Sequence, residues 1–256
     1  MAMINKTIGI VGGVGSYAGI DLIKKVYDLT EAKSDQEHLP VSMLSVPHKI
    51  IDRTKYLLGE TDVNPGIAIS EIIATLIASG SNIIAIPCNT AHAKPIFNLI
   101  EKSIPESCIL VNLIEEVGLY IATKHPEITR VGVLGTTGTI LAKVYPDVLA
   151  KYNIEVIQPS EDIQNLFVHP SIYDANYGIK AFSNPVNQKA KENLSMAATY
   201  LSRKGAQAVI LGCTEIPLAI QSEKIEDSLI IDATTVLASA LIRESKKTEA
   251  SKTAIY

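Results

Sequence analysis

The amino-acid sequence predicts an α/β fold of two pseudo-symmetric halves, each a parallel sheet flanked by helices, with the active site in the cleft between them. Short apolar runs alternate with helical patterns, which is typical of parallel sheets joined by helices. A strand with a glycine-rich loop, residues 7–16, is repeated in similar form at residues 130–139. A strand that ends in a cysteine, residues 80–90, is repeated at residues 205–215. These two pairs indicate an internal duplication, so the halves should share one architecture.

The repeats also indicate where the halves begin and end. We expect an N-terminal α/β half over residues 1–115, a C-terminal α/β half over residues 116–222, and a closing helix with a polar tail over residues 223–256. A chain of 256 residues is long enough to bury a sizeable core, either as one large domain or as two compact halves.

The first half contains strands at 8–11, 41–46, 83–86 and 109–113 and helices at 18–30, 65–79 and 91–103. The run at 8–11 is apolar, rich in β-branched residues and closed by glycines, as buried parallel strands are. The segment at 65–79 has the clearest helical pattern, because its large apolar residues recur on one face. Pro65 suits the first turn of that helix, and Gly80 suits its C-terminal cap.

The second half repeats this alternation, with strands at 131–134, 154–157 and 208–211, helices at 139–151 and 187–203, and a closing helix at 233–245. Ligands of parallel sheets bind beyond the carboxyl ends of the strands. Both glycine loops and both cysteine loops follow such ends, so we expect all four loops to meet in one place.

Composition excludes several classes of protein. Hydrophobic residues make up 47% of the chain and charged residues 20%, which argues against disorder. The net charge is −4 without a strong basic cluster, so neither nucleic acid nor an anionic membrane is an expected partner. No apolar run has the length of a membrane span, and the N-terminal residues lack the pattern of a signal peptide. Three cysteines do not make a disulfide framework, and reduced thiols favour a cytoplasmic location.

The cysteines differ in their surroundings. Cys108 precedes an apolar run and suits the role of a small buried side chain. Cys88 and Cys213 are each followed by polar residues and by a predicted helix, whose N-terminus would lower the pKa of a thiol. Their matched positions favour a chemical role over simple burial; a disulfide between them is the alternative, which would be unusual in a cytosolic enzyme.

The first glycine loop matches the loose dinucleotide-binding pattern through Gly13, Gly15 and Ala18. That pattern requires an acidic residue after the second strand, which here ends at Pro47 without one. The second loop, at 135–139, lacks the pattern altogether. We therefore interpret both loops as nests of backbone N–H groups that suit a carboxylate.

Other candidate residues are isolated. Arg53 follows the second strand, where it could be a solvated charge or a bidentate carboxylate clamp. Lys180 lies in a long irregular region, and this position fits an ordinary surface lysine and a functional lysine equally well. His92 follows Cys88 by four residues, but the second cysteine loop has no histidine, so no metal site is expected and a structural role is favoured.

Together these motifs resemble the aspartate/glutamate racemase superfamily, and most closely its aspartate branch. The matching segments are Gly12-Gly13-Val14-Gly15, Pro87-Cys88-Asn89-Thr90-Ala91-His92, Gly135-Thr136-Thr137-Gly138-Thr139 and Gly212-Cys213-Thr214-Glu215. Glutamate racemases of this superfamily typically have Cys-Thr-His at the last motif and Asp-Ser in the first loop. The resemblance extends to Asp52-Arg53-Thr54 and to Lys180 in its Tyr-x-x-x-x-Gly-Ile-Lys context, whereas Ser16 stands where the family often has proline.

The resemblance implies a racemase without cofactor or metal, in which Cys88 and Cys213 exchange protons with opposite faces of the α-carbon of aspartate. Arg53 and Lys180 would then hold the side-chain carboxylate. The substrate-binding residues expected from the motifs and loops are Gly13, Ser16, Arg53, Asn89, Thr90, Thr136, Thr137, Gly138, Thr139, Lys180, Thr214 and Glu215. The expected partners are a small amino-acid substrate and a second copy of the chain, since such racemases are commonly homodimers.

Three alternatives remain at this stage. A glutamate racemase would share these motifs, and a racemase of broader or different specificity would share all of them except the argument from Arg53 and Lys180. A decarboxylase or cis–trans isomerase of the superfamily usually has a different complement of cysteines. A carboxylate-binding relative could keep the cleft without turnover.

Overall fold

The computed structural model describes residues 6–247 and confirms the predicted α/β fold with two sheets. Most of the predicted polar tail, residues 248–256, lies outside the described residues. The first sheet has the order β2-β1-β3-β4, and all its pairings are parallel. Its strands are β1 (Ile8–Gly12), β2 (Val41–Ser45), β3 (Ile83–Ala85) and β4 (Ile109–Val111).

The second sheet repeats the order of the first. It is arranged β6-β5-β7-β9-β8, and its first four strands are parallel and correspond in position to the four of the first sheet. Its strands are β5 (Arg130–Gly135), β6 (Glu155–Ile157), β7 (Ala208–Gly212), β8 (Lys224–Ile225) and β9 (Ser228–Asp232). In both sheets the strand before a glycine loop therefore lies beside the strand before a cysteine loop. The duplication inferred from the sequence is present in the topology.

The helices connect these strands and flank both sheets. They are α1 (Ser16–Leu29), α2 (Arg53–Leu57), α3 (Pro65–Ala78), α4 (Lys94–Glu101), α5 (Leu113–Lys124), α6 (Thr137–Leu141), α7 (Val144–Leu149), α8 (Glu161–Ile163), α9 (His169–Tyr173), α10 (Gln188–Arg203) and α11 (Ala233–Lys246). A π-helical turn, Gln164–Val168, joins α8 to α9. None of these helices is long and apolar enough to cross a membrane.

Several elements differ from the sequence prediction. Helix α5 is absent from the prediction, where the strand runs to residue 113; Asn112 instead ends the strand by accepting hydrogen bonds from the N–H groups of Ile114 and Glu115. The predicted helix 139–151 is divided into α6 and α7 by Lys143, whose φ of 49° is left-handed. The segment from residue 223 contains β8 and β9 before its closing helix, so part of it joins the second sheet.

The halves share a hydrophobic core. One cluster contains Ile10 from β1, Val133 from β5 and Leu237 from α11, all of them buried. Helix α11 packs against α1 and α5, although the chain reaches it only after completing the second sheet. Lys25 on α1 also forms an ion pair of 2.6 Å with Asp232, the residue that caps α11. The last described helix therefore ties the second half to the first.

Candidate active site

A cavity of about 530 Å³ lies between the two halves at the carboxyl ends of the strands. The N-terminal half lines it with residues 13–17, 47, 50, 52 and 53, and the C-terminal half with residues 180–185 and 215. Five of the predicted site residues are part of this wall: Gly13, Ser16, Arg53, Lys180 and Glu215. These five residues therefore lie together in the cleft between the halves, where the sequence analysis expects the site.

The two cysteine loops are bonded to each other across the cleft. The Thr214 hydroxyl donates to the Pro87 carbonyl at 2.8 Å, so the residue after Cys213 is joined to the residue before Cys88. Both cysteines are 6% exposed, and neither forms a disulfide. Each is followed by a short 3-10 turn, Asn89–His92 or Ile216–Leu218, where the sequence predicts an α-helix.

Three threonine hydroxyls form a closed group that also joins the halves. Thr90 Oγ1 lies 2.9 Å from both Thr136 Oγ1 and Thr139 Oγ1, and the latter two are 3.1 Å apart. Thr136 additionally caps α6 by accepting from the Thr139 N–H. Beside this group a Cβ atom on Gly138 would lie 2.9 Å from Thr54 Oγ1, so the approach of the two loops requires glycine there.

Arg53 begins α2 and is almost fully buried, with 7% of its surface exposed. Its guanidinium donates to the Val14 carbonyl and, at 3.3 Å, to the Ile51 carbonyl, while Nε has no hydrogen-bond partner among the described residues. Burial opposes the charge of Arg53, but electrostatic interactions with the neighbouring Cys88 and Asp52 outweigh burial and raise the pKa of Arg53. The arginine is therefore a permanent cation next to Cys88.

Lys180 and Glu215 form an ion pair of 2.9 Å in the cavity wall. The same carboxylate lies 3.9 Å from the Cys213 sulfur, and a Cβ atom on Gly15 would lie 3.0 Å from its Cδ. Burial, followed by the charge of Glu215, raises the pKa of Cys213 to about 12, although Lys180 acts in the opposite direction. The expected lowering of this thiol pKa by a helix N-terminus is wrong, because the sulfur is buried, a carboxylate faces it, and only a 3-10 turn of three residues follows.

His92 supports the first cysteine loop from inside the protein. Its Nδ1 lies 2.8 Å from the Cys88 carbonyl, and its Nε2 accepts from the Leu113 N–H at 3.3 Å. Burial lowers the pKa of His92 to about 4, so the ring is neutral near pH 7 and Nδ1 carries the proton. The ring also stacks on Phe97, with centroids 4.8 Å apart. Within residues 6–247, no group of three or more potential metal ligands is found.

The remaining predicted residues lie around this centre. Gly13 has a φ of +81°, which favours glycine, and Ser16 begins α1. Asn89 is 1% exposed and accepts a hydrogen bond from Tyr145. Thr137 is only half-buried, and its hydroxyl lies 3.0 Å from His169 Nδ1.

Two tyrosines at the site escaped the sequence analysis. The Tyr173 hydroxyl lies 3.0 Å from Thr54 Oγ1 and 3.3 Å from the Asp52 carboxylate, and the Lys180 ammonium lies 5.4 Å from the centre of its ring. Tyr173 belongs to the sequence motif of Lys180, which offered a signal for it. Tyr145 carries no comparable motif, and only its burial against the cysteine loops identifies it.

Comparison with known proteins identifies the class to which this fold and site belong. A sequence profile of the Asp/Glu/hydantoin racemase family matches residues 11–241, so the chain belongs to that family. The resemblance inferred from the motifs is confirmed at this level.

Individual relatives include racemases for two acidic amino acids. The chain is similar to an aspartate racemase of Picrophilus torridus, with 28% identity, a TM-score of 0.77 and 95% of each chain covered. It shares its fold with an aspartate racemase homologue of Pyrococcus horikoshii at 23% identity and a TM-score of 0.71, over 94% of this chain and 100% of the other. It is also 28% identical over 149 residues to a glutamate racemase of Listeria monocytogenes. That match covers 58% of this chain and only half of the relative.

Proposed function

We propose that this protein is a cofactor-independent racemase that interconverts L- and D-aspartate through proton transfers by Cys88 and Cys213. The observation that carries the proposal is the pair of bonded cysteine loops beside a cavity with two cations, the buried Arg53 and the partly buried Lys180. A reaction between mirror-image substrates needs an acid and a base on opposite sides of one carbon, and a duplicated fold offers two equivalent positions.

The two cysteines start in different protonation states under this proposal. Cys213 is the thiol, because burial and Glu215 hold its proton. We assign Cys88 the role of the base, because the Arg53 guanidinium lies next to it. Cys88 removes the α-proton of one enantiomer while Cys213 delivers its own proton to the opposite face. The enzyme is then left with a Cys88 thiol and a Cys213 thiolate, which is the state that reverses the reaction.

The carbanion intermediate needs stabilisation beyond the proton transfers. General acid–base catalysis contributes only about 10²–10⁴-fold. Fixed donors at the α-carboxylate, where negative charge develops, can contribute more. The threonine group of Thr90, Thr136 and Thr139 and the amide of Asn89 are the donors we assign, because all four are buried at the ends of the strands.

Charge complementarity favours an acidic substrate. Arg53 and Lys180 face one cavity and can hold the side-chain carboxylate, while the Glu215 carboxylate can accept from the substrate ammonium. A charged side chain in a closed cleft is costly without such a partner. Arg53 is the main determinant, since its planar group binds a carboxylate bidentately whereas Lys180 is already paired with Glu215.

Glutamate is the second candidate substrate. It carries the same charges as aspartate and one more methylene group, and a single methylene group is worth only about 1–3 kcal/mol in discrimination. The similarity to a Listeria glutamate racemase favours this alternative. A homodimer in the cytoplasm is part of the same proposal, and light scattering of the purified protein tests the dimer.

Incubation of enantiopure amino acids with the protein in D₂O, without added cofactor, tests the function. We expect the α-proton of aspartate to be replaced by deuterium as the opposite enantiomer forms, as measured by NMR and chiral chromatography. Aspartate should react faster than glutamate, and both much faster than alanine. Absence of exchange with every amino acid would indicate a binding protein, and a preference for alanine would exclude the assignment of an acidic substrate.

A further inference from the structure

Tyr145, at the start of α7, contacts both cysteine loops. Its hydroxyl donates to Asn89 Oδ1 at 2.5 Å, and Asn89 directly follows Cys88. The edge of its ring packs against Gly212, which directly precedes Cys213: a Cβ atom on that glycine would lie 3.3 Å from Tyr145 Cε2. Tyr145 itself is 1% exposed, so surrounding residues hold its ring in place.

The direction of the Tyr145–Asn89 hydrogen bond determines how the amide is oriented. Burial raises the pKa of Tyr145, which keeps its hydroxyl protonated and able to donate. The acceptor is then the oxygen of the Asn89 amide, so the position of its NH₂ group is set as well.

The NH₂ group of Asn89 provides a second observation, which concerns its missing hydrogen-bond partner. Its nitrogen is buried and has no hydrogen-bond partner among residues 6–247. A buried donor without a partner is costly, so its position next to Cys88 indicates that a ligand supplies the acceptor. A carboxylate is an acceptor of the required kind.

We propose that Tyr145 is a positioning residue, which presents the Asn89 NH₂ group to the substrate carboxylate and maintains the spacing of the two cysteine loops. This inference rests on the proposed racemase function. If the spacing relaxed, the carbanion formed at one cysteine would more often be reprotonated by that same cysteine. In D₂O, once that thiol had exchanged its proton for a solvent deuteron, the substrate would gain deuterium at the α-carbon without inversion.

The variant Tyr145→Phe tests this inference because it removes the hydroxyl and keeps the ring. Reactions with L-aspartate and with D-aspartate in D₂O are stopped early, and deuterium is measured separately in the recovered substrate and in the product. We expect kcat to fall by about 10- to 100-fold, because small misplacements of reacting groups cause losses of that size. We also expect the ratio of deuterium in substrate to deuterium in product to rise at least about threefold, which corresponds to a barrier difference of only about 0.7 kcal/mol. A role confined to folding would leave that ratio unchanged.

Two further variants complete the experiment. Tyr152→Phe is the matched control, since this tyrosine lies in the adjacent turn and packs on Gly118 instead of a cysteine loop; its kcat and deuterium ratio should equal those of the wild type. Asn89→Asp keeps an acceptor for Tyr145 but removes the NH₂ group, so its kcat should fall as well, even if Tyr145→Phe fails to fold.

The outcomes separate the inference from the function on which it rests. A Tyr145→Phe protein with wild-type kcat and an unchanged ratio would overturn the role of Tyr145 while the racemase proposal stands. Full activity in Asn89→Asp would overturn the role of the amide in the same way. A wild-type protein without any exchange would overturn both proposals together.

Discussion

The Lys180 ammonium lies 2.9 Å from the Glu215 carboxylate, and that carboxylate is 95% buried within 3.9 Å of the Cys213 sulfur. One carboxylate therefore neutralises a cation that could bind substrate and opposes ionisation of a thiol. Together with burial, Glu215 therefore sets the pKa of the thiol in the second cysteine loop.

Replacement of Glu215 by glutamine should acidify Cys213. The negative charge that raises its pKa is removed, while Lys180 remains and favours the thiolate. In a Cys88→Ala, Cys108→Ala background, the pH dependence of alkylation by iodoacetamide follows the thiolate of Cys213 alone. Without further change the thiolate should form only near pH 12, and with Glu215→Gln it should form at lower pH. Glu223→Gln, at the exposed end of the second sheet, should leave the titration unchanged, and an equal titration in all three proteins would contradict the role of Glu215.

The cysteine pair is tested by single substitutions. Cys88→Ala and Cys213→Ala should each lower racemisation by at least about a hundredfold, the lower range of general acid–base catalysis. Circular dichroism and thermal unfolding should remain close to wild type. Cys108→Ala is the control, because Cys108 lies at the start of β4 with its sulfur 3.9 Å from the Ser81 carbonyl. Near-normal racemisation in either of the first two variants would exclude the two-cysteine mechanism.

Arg53→Ala tests the choice of substrate. Loss of one member of a buried charge pair typically costs about 2–5 kcal/mol, and kcat/KM for aspartate should fall accordingly. Any turnover of alanine should decline much less, because alanine has no side-chain carboxylate. Arg203→Ala removes an arginine that pairs with Glu226 at the surface and should change neither value. Equal losses for aspartate and alanine would mean that Arg53 is structural.

His92 should make the fold sensitive to acid. Its folded pKa of about 4 lies below the usual value of 6.5, so unfolding is accompanied by proton uptake between these values. The stability contributed by the neutral ring is complete above pH 6.5 and declines by about 3 kcal/mol as the pH falls through 4. Urea unfolding of wild type and His92→Gln from pH 7 to pH 4 measures the difference. The two free energies should converge as the pH falls, and parallel curves would refute this origin of acid sensitivity.

Much of the fold could be predicted because buried parallel strands and their glycine and cysteine loops repeat in sequence. The helix at 113–124 was missed because Leu113 continues an apolar run, and only the capping side chain of Asn112 ends the strand. β9 was missed because its short apolar run adjoins the closing helix without a turn residue between them.

The loops that form the candidate site could be predicted from the sequence, but the ion pairs and hydrogen bonds between their side chains could not. Lys180 and Glu215 are 35 residues apart, and nothing in the sequence indicates that they pair. The acidity of Cys213 was misjudged for this reason. Tyr145 and Asn89 are likewise distant in sequence, and their hydrogen bond results from the docking of the two halves.

The two cysteine loops follow equivalent strands, but the charged groups near their sulfurs differ. Arginine adjoins one sulfur and a carboxylate the other, so the duplicated scaffold presents unlike electrostatic environments to the two faces of a substrate. Mirror-image molecules have identical free energies in water, which makes the equilibrium constant of any racemisation equal to one. The quotient kcat/KM must then be the same for both enantiomers. The different surroundings that Arg53 and Glu215 create can therefore make kcat and KM differ between the enantiomers, but only in the same proportion.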